Sequence, residues 1–190
     1  NDLHLYPDGN GTKLKEEIAN HENVAFDNII IGNGSNEILE LAARAFLNPK
    51  TSSVASKHAF AVYKIVTQSA GASLIEVPTC NWEHDLKSFE DYLDSSTRVI
   101  FIANPNNPTG TYNSHEEVHS LLKKVPSSVL VVLDCAYFEY VTKEDYVKPL
   151  DLLNEFDNLL ITKTFSKIHG LASIRVGYGI ANLSLIEILN

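Results

Sequence analysis

The 190-residue chain has no methionine, a single tryptophan and only two cysteines, Cys80 and Cys135. Two cysteines cannot make the disulfide framework of a small secreted domain, so a reducing, cytoplasmic setting is expected. Basic residues are also few. Lys and Arg number 15 against 24 Asp and Glu, a formal charge of −9, and no basic run could track a phosphate backbone. This balance argues against nucleic acids and anionic membranes as partners. Long hydrophobic runs are missing as well, since stretches such as Val129 to Leu133 are strand-sized, far short of the roughly 20 residues that span a bilayer. No basic segment followed by an apolar one opens the chain, which begins at Asn1. The missing Met, that first residue, and an apolar pattern from Leu183 to Leu189 with no cap beyond Asn190 lead to the expectation of a longer parent protein.

What is present is the mix of an ordinary soluble globular protein, 44% hydrophobic and 21% charged. Short β-branched runs alternate with helix-length amphipathic stretches, the trace of βα units around a mainly parallel sheet. Strands are predicted at Asn28–Gly32, Ser53–Ala55, Leu74–Val77, Arg98–Ala103, Val129–Asp134, Leu159–Thr162 and Val176–Ala181. Helices are predicted at Lys13–Asn20, Asn36–Phe46, Phe60–Ala70, Leu86–Leu93, His115–Lys123 and from Leu183 onward. No repeat, low-complexity tract or Ser/Gly linker divides the chain, so residues 1–190 are read as one α/β domain. Ligands of such sheets collect outside the carboxyl ends of the strands, which makes the residues just after each strand the ones to inspect.

Four segments stand there. Gly32-Asn33-Gly34-Ser35-Asn36-Glu37 is a Gly-rich turn entering a helix, and its free N–H groups, the helix dipole and the Ser35 hydroxyl suit an anion. The same residues also read as a tight turn at Gly34 with Ser35 as a plain N-cap. A dinucleotide fingerprint would need a third Gly where Asn36 and Glu37 stand. Asn104-Pro105-Asn106-Asn107-Pro108-Thr109-Gly110 is a stiffened loop able to fix an Asn amide in one orientation. Val129 to Leu133 reads as a central strand ending in Asp134, a carboxylate that needs a partner because burying it alone costs several kcal/mol. A cationic ligand would serve, within reach of Tyr137, although Asp134 capping a turn stays open. Last, Leu159-Leu160-Ile161 leads to Thr162-Lys163-Thr164-Phe165-Ser166-Lys167, with Arg175 further on. A lysine in a partly desolvated pocket beside another cation becomes a nucleophilic amine suited to Schiff-base chemistry. A solvated surface lysine is the plain alternative.

Taken together, Gly32 to Glu37, Asn106-Asn107-Pro108-Thr109-Gly110, Asp134-Cys135-Ala136-Tyr137 and Thr164-Phe165-Ser166-Lys167 with Gly170 to Tyr178 resemble the pyridoxal-phosphate aminotransferases of fold type I. Within that family they are most similar to the histidinol-phosphate aminotransferases, and the resemblance runs from Tyr6-Pro7-Asp8-Gly9 to the last residue. It implies a three-layer αβα fold with about seven strands, the large domain of such enzymes, without their carboxyl-terminal small domain. It implies pyridoxal phosphate as cofactor, with Lys167 bonded to it, Asp134 on the pyridine nitrogen, Asn107 and Tyr137 on the ring hydroxyl oxygen, and Tyr63 stacked on the ring. Gly34, Ser35, Asn36, Thr164, Ser166 and Arg175 would hold the phosphate, joined by Tyr6 from a second subunit of a homodimer. Histidinol phosphate and 2-oxoglutarate are the implied substrates, in histidine biosynthesis. Relatives acting on aromatic amino acids or decarboxylating phosphothreonine share nearly all these motifs. Three residues depart from the family pattern: Cys135 stands where Glu is usual, Lys163 where Arg is frequent and Ser173 where Gly is common.

Two readings from other classes compete. His115-Glu116-Glu117-Val118-His119 is a literal H-E-x-x-H, which on a helix offers two zinc ligands, His115 and His119, with Glu116 as base. Ser114 with Glu117 looks instead like a capping box that leaves His115 in a solvated first turn. The other competitor is a phosphate-binding module without catalysis.

Overall fold

The computed structural model describes residues 4–190, and all seven predicted apolar runs become strands of one sheet. In chain order the elements are α1 (Thr12–Glu22), β1 (Ile29–Gly32), α2 (Ser35–Phe46), β2 (Ser52–Ser56), α3 (Ala61–Ser69), β3 (Ser73–Val77), a small hairpin of β4 (Thr79–Cys80) and β5 (Glu83–His84), β6 (Thr97–Ala103), α4 (His115–Lys124), β7 (Leu130–Asp134), α5 (Pro149–Leu152), β8 (Leu159–Thr164), β9 (Gly177–Ile180) and α6 (Leu183–Leu189). The sheet order is β1-β9-β8-β7-β6-β2-β3. Pairing is parallel from β3 through β2, β6 and β7 to β8, and antiparallel where β9 joins β8 and β1. None of the described helices is long and apolar enough to cross a membrane.

Successive side chains of a strand face opposite sides, and β7 shows what that does here. Val131 and Leu133 pack with Val118, Leu121 and Leu122 of α4 and with Ile18 of α1. Leu130 and Val132 pack with Leu39 and Ala42 of α2, Tyr63 and Val66 of α3, and Leu185 of α6. Two apolar cores, one on each face, make three layers. Each fully buried Val, Leu or Ile contributes about 1.5–3 kcal/mol of burial, so the central strands hold the layers together.

One expectation needs correction. The helix predicted over Leu86–Leu93 is only a 3-10 turn, Phe89–Tyr92. Ser88 bonds to the Asp85 carboxylate, and Asp94 takes the N–H groups of Ser96 and Thr97, so short polar side chains compete with helical bonds at both ends. The hairpin β4–β5 and the four-residue α5 have no counterpart in the sequence reading, being shorter than any periodicity can register.

On β8 the alternation also separates two kinds of polar residue. Thr162 and Thr164 face one way and Lys163 the other, where its ammonium lies 2.8 Å from Glu22 of α1 and 3.2 Å from Glu139. Tyr178 of β9 donates to the same Glu22 oxygen at 2.5 Å. Cys135 is buried, so the negative charge balancing Lys163 comes from Glu22 and Glu139 rather than from position 135. Burial opposes the charge on Lys163, but hydrogen bonds and attraction from Glu22, then Glu139, outweigh it and raise its pKa above the ordinary 10.5. A raised lysine pKa means this stabilisation is fully present at neutral pH and is lost only as pH climbs through the folded value. Removing the charge of Glu22 leaves Lys163 with Glu139 alone, at 3.2 Å, in place of two carboxylates. Glu22→Gln is therefore expected to lose about 3 kcal/mol in urea unfolding at pH 7, and the double variant Glu22→Gln with Lys163→Met to recover most of it.

Candidate active site

Because β1, β2, β6, β7 and β8 run in one direction, their carboxyl ends open on the same edge of the sheet. A cavity of about 220 Å³ lies there, lined by residues that follow those strands. They include Ser35 and Asn36 after β1, Asn107 after β6, Asp134 and Tyr137 at the end of β7, Thr164 at the end of β8, Ser166 and Lys167 after it, and Arg175 just before β9. Ten positions singled out from the sequence thus meet, counting Gly34, whose backbone adjoins the Arg175 guanidinium.

Asp134 is the buried end of the cavity, only 4% exposed. Tyr63 donates its hydroxyl hydrogen to Oδ2 at 2.9 Å, Thr162 donates to Oδ1 at 3.1 Å, and the Ala136 N–H points to Oδ1 at 3.3 Å. Burial pushes this carboxyl above the usual carboxylate range, although the three donors and the Lys167 ammonium pull the other way. A buried anion still short of positive charge is what a cationic ligand would complete. Lys167 stands across the cavity in an exposed turn, its Nζ 5.1 Å from the centre of the Tyr137 ring.

The opposite end is built from donors. Helix α2 begins at Ser35, and no side chain caps it. Ser35 is therefore not the N-cap of the plain alternative, and its hydroxyl and the first N–H groups of the helix remain for an anion. Arg175 bonds through Nη1 to Ser166 Oγ at 3.3 Å and to the Ala172 carbonyl at 2.9 Å, and its own carbonyl accepts from Gly34 N–H. Gly34 has φ of 72°, and a Cβ there would fall 2.4 Å from Arg175 Nη2. A Cβ on Gly177 would fall 2.3 Å from the Ser35 nitrogen. Both glycines let backbone and guanidinium close around one small space.

One expectation fails. Tyr63 does not face the cavity: its ring is 1% exposed and stacks on Phe101 at 4.9 Å, which puts its hydroxyl under Asp134. The aromatic wall is Phe60, the residue before α3, which the sequence reading used only as a helix start. The rule that ligands gather just past strand ends would have found it, since Phe60 follows β2 by four residues. Tyr6 is fully exposed and lines no part of the cavity within its own chain.

No residue of the H-E-x-x-H segment lines this cavity. Ser114 and Glu117 form the predicted capping box at the start of α4. His119 bonds Glu155 at 2.9 Å, and His115 accepts from the Lys148 N–H. Among the described residues no three His, Cys, Asp or Glu side chains are grouped to hold a metal.

Comparison with known proteins agrees with this geometry. The sequence profile of the aminotransferase class I and II family matches residues 1–190. A histidinol-phosphate aminotransferase 2 from Pseudomonas fluorescens is 52% identical over 189 residues, covering 100% of this chain and 51% of that protein. The crystal structure of histidinol-phosphate aminotransferase from Sinorhizobium meliloti, in complex with pyridoxal-5'-phosphate, superposes with a TM-score of 0.92 at 28% identity, over 98% of this chain and 50% of that one. L-threonine-O-3-phosphate decarboxylase from Porphyromonas gingivalis shares the fold, with a TM-score of 0.83 at 24% identity over 98% of this chain and 57% of that one. The chain spans about half the length of the curated relatives it matches. Its strand order, its cavity at the strand ends and a profile match along every residue carry the same meaning: the chain belongs to the aminotransferase class I and II family.

Proposed function

We propose that these residues are the cofactor-binding domain of a pyridoxal-phosphate-dependent aminotransferase that takes the amino group of L-histidinol phosphate and passes it to 2-oxoglutarate. The observation that carries this is one cavity lined together by a lysine amine, a buried carboxylate and an anion cradle. The residues fit the cofactor: among the described residues no cation forms an ion pair with Asp134, and the glycine-bounded donors at Ser35, Asn36, Thr164, Ser166 and Arg175 suit a phosphate. The donor is supported by the names of relatives 45–52% identical to this chain. Aromatic amino acids and phosphothreonine are the alternatives, so a panel of amino donors assayed on the full-length protein discriminates among them.

When bound, pyridoxal phosphate supplies the electron sink for the carbon that bears the substrate's amine. Lys167 would hold the cofactor through its amine at rest. Once free, the same Nζ would accept the proton that leaves that carbon, so Lys167 would act first as nucleophile toward the cofactor's aldehyde and then as base. Asp134 holds a proton on the ring nitrogen, with Tyr63 and Thr162 fixing the carboxylate. Asn107 and Tyr137 would orient the ring through its hydroxyl oxygen, and Phe60 would take the stacking role first expected of Tyr63. Borohydride reduction and peptide mapping should place the cofactor on Lys167. Label on Lys163, or on no lysine, contradicts the proposal and favours the non-catalytic phosphate-binding reading. Lys167→Ala should keep cofactor binding through the phosphate and lose transamination by several orders of magnitude.

For Asp134 the sign of the pKa shift separates function from stability. Its folded pKa is raised, so the folded protein holds this proton more tightly than the unfolded chain does. The resulting penalty on folding is absent in acid and grows as pH rises above the ordinary carboxylate range of 3.8. Asp134→Asn should therefore melt at a higher temperature than the parent at pH 7 without cofactor, while losing most activity and shifting the bound ring's absorbance. A variant of near-normal activity would leave Asp134 a turn residue.

The partner chain is the remaining element. Tyr6, fully exposed and followed by Pro7, sits on an extended segment able to reach a second subunit. In the proposed homodimer its phenol touches the partner's cofactor phosphate, and Tyr6→Phe weakens cofactor binding by about 1 kcal/mol. Mixing Tyr6→Phe chains with Lys167→Ala chains tests this in the full-length protein. Action across the interface leaves each mixed dimer one site with neither defect and normal affinity. Weakened affinity at every Lys167 site would return Tyr6 to its own subunit.

A further inference from the structure

Below the loop that carries Asn107 lies a histidine that no step above uses. His84, the last residue of β5, is 3% exposed. Its Nε2 is 2.8 Å from the carbonyl oxygen of Ala103, and its Nδ1 is 2.7 Å from Ser56 Oγ. A carbonyl can only accept, so the ring hydrogen sits on Nε2, and Nδ1 is left to accept from the serine hydroxyl. Burial holds the His84 pKa below the ordinary histidine value, which favours this neutral form. Glu83 and Asp85 flank His84 in its own segment, Lys57 and His58 follow Ser56, and Asp134 pairs with Ala103 across the sheet. None of the five bonds to the ring among the described residues.

Its two partners are the last residues of two neighbouring parallel strands, Ser56 of β2 and Ala103 of β6. The ladder between those strands ends at Ala55 and Phe101. Beyond it the imidazole takes over as donor to the Ala103 carbonyl, directly before the loop begins at Asn104. The backbone carbonyl of His84 also accepts from Asn113 Nδ2 at 3.1 Å, at the far end of the same loop. Asn104 and Asn113 in turn exchange two bonds, Asn104 Nδ2 to the Asn113 carbonyl and Asn113 N–H to Asn104 Oδ1, both 2.9 Å. One residue thus ties both ends of the loop to the strand edge. Trp82 of the same hairpin braces the middle by accepting from Thr111 Oγ1 at 3.1 Å.

We infer that His84 is a positioning residue, a neutral imidazole with its hydrogen on Nε2 that holds the Asn104–Asn113 loop so that Asn107 meets the cofactor. The inference rests on the reading of this cavity as the pyridoxal-phosphate site. His84 itself touches no reacting atom, so its effect passes through Asn107. In the full-length protein, His84→Phe should weaken pyridoxal-phosphate binding about fivefold to tenfold, the fold-change of one hydrogen bond. It should also shift the absorbance of the bound ring in the direction that Asn107→Ala does. The double variant should bind no more weakly than Asn107→Ala alone, since both act through one contact. His84→Gln, which keeps an N–H near the Nε2 position, should restore most of the affinity, and nitrogen NMR of the parent should find the hydrogen on Nε2. If His84→Phe does not fold, Ser56→Ala removes only the hydroxyl that fixes the ring and should give a smaller loss in the same direction. Normal affinity and absorbance in these variants beside a defective Asn107→Ala, additive losses in the double variant, or a hydrogen on Nδ1 would overturn the role of His84 alone. An Asn107→Ala protein with unchanged affinity and absorbance would overturn the cofactor-site reading together with it.

Discussion

The carboxylate of Asp134 is the constraint around which the rest of this molecule is arranged. It ends a strand whose five residues are all buried, in the centre of the sheet, where an unpartnered charge costs several kcal/mol. The protein supplies three hydrogen-bond donors to it, one each from α3, β8 and its own turn, yet its pKa still lies above the ordinary range. The fold therefore keeps an incompletely compensated anion at the base of an open cavity. Placing Tyr63 beneath that anion dictates which way α3 faces, and this is why Phe60, one residue before the helix, falls at the cavity wall. A single buried charge decides the roles of two aromatic residues.

At the other end of the cavity no charge is buried, and the device is close approach. The turn after β1 and the turn before β9 are held face to face by the Gly34 N–H on the Arg175 carbonyl, and Arg175 itself adopts φ of 56°. Left-handed backbone in a non-glycine residue is unfavourable, and here it directs the guanidinium toward Ser166 and the α2 amino end. Fixed anion, lysine amine and oriented donors are thus distributed along one sheet edge by backbone geometry. The loop between Asn104 and Asn113, tied at both ends, closes the side.

How much of this was legible beforehand follows from which signals are local. Each strand of the main sheet is an apolar run with turn residues at its ends, so all seven were readable, and the position of Asp134 after Leu133 placed it at a strand end. Gly34, Ser35 and Lys167 were readable for the same reason, each lying just past a strand, and Arg175 by its place in the turn before β9. Orientation was not. Whether Tyr63 or Phe60 turns to the cavity depends on where α3 begins and on a hydrogen bond 71 residues away along the chain. His84 was invisible because its three ties reach Ser56, Ala103 and Asn113, and its hairpin is two residues a strand. Lys163 looked like a minor departure from a motif until Glu22, 141 residues distant, supplied its partner.

The H-E-x-x-H segment shows the converse error that a literal motif invites. Its spacing puts both imidazoles on one helix face, and the two rings do lie parallel, 5.9 Å apart. Spacing along a helix, however, fixes only two ligands. A catalytic zinc needs a third ligand and an enclosed approach, and both depend on what other elements bring to that face. Here the neighbouring segment brings Phe156 edge-on to His119 and Glu155 onto its Nε2, which occupies the nitrogen and leaves a polar surface pair. The residues that line the cavity are the reverse case. They lie in short segments scattered from Ser35 to Arg175, yet parallel strands deliver them to one edge because every crossover returns the chain to the same end of the sheet. In a doubly wound sheet, position relative to a strand end therefore carries more information about chemistry than the spacing of residues within one helix.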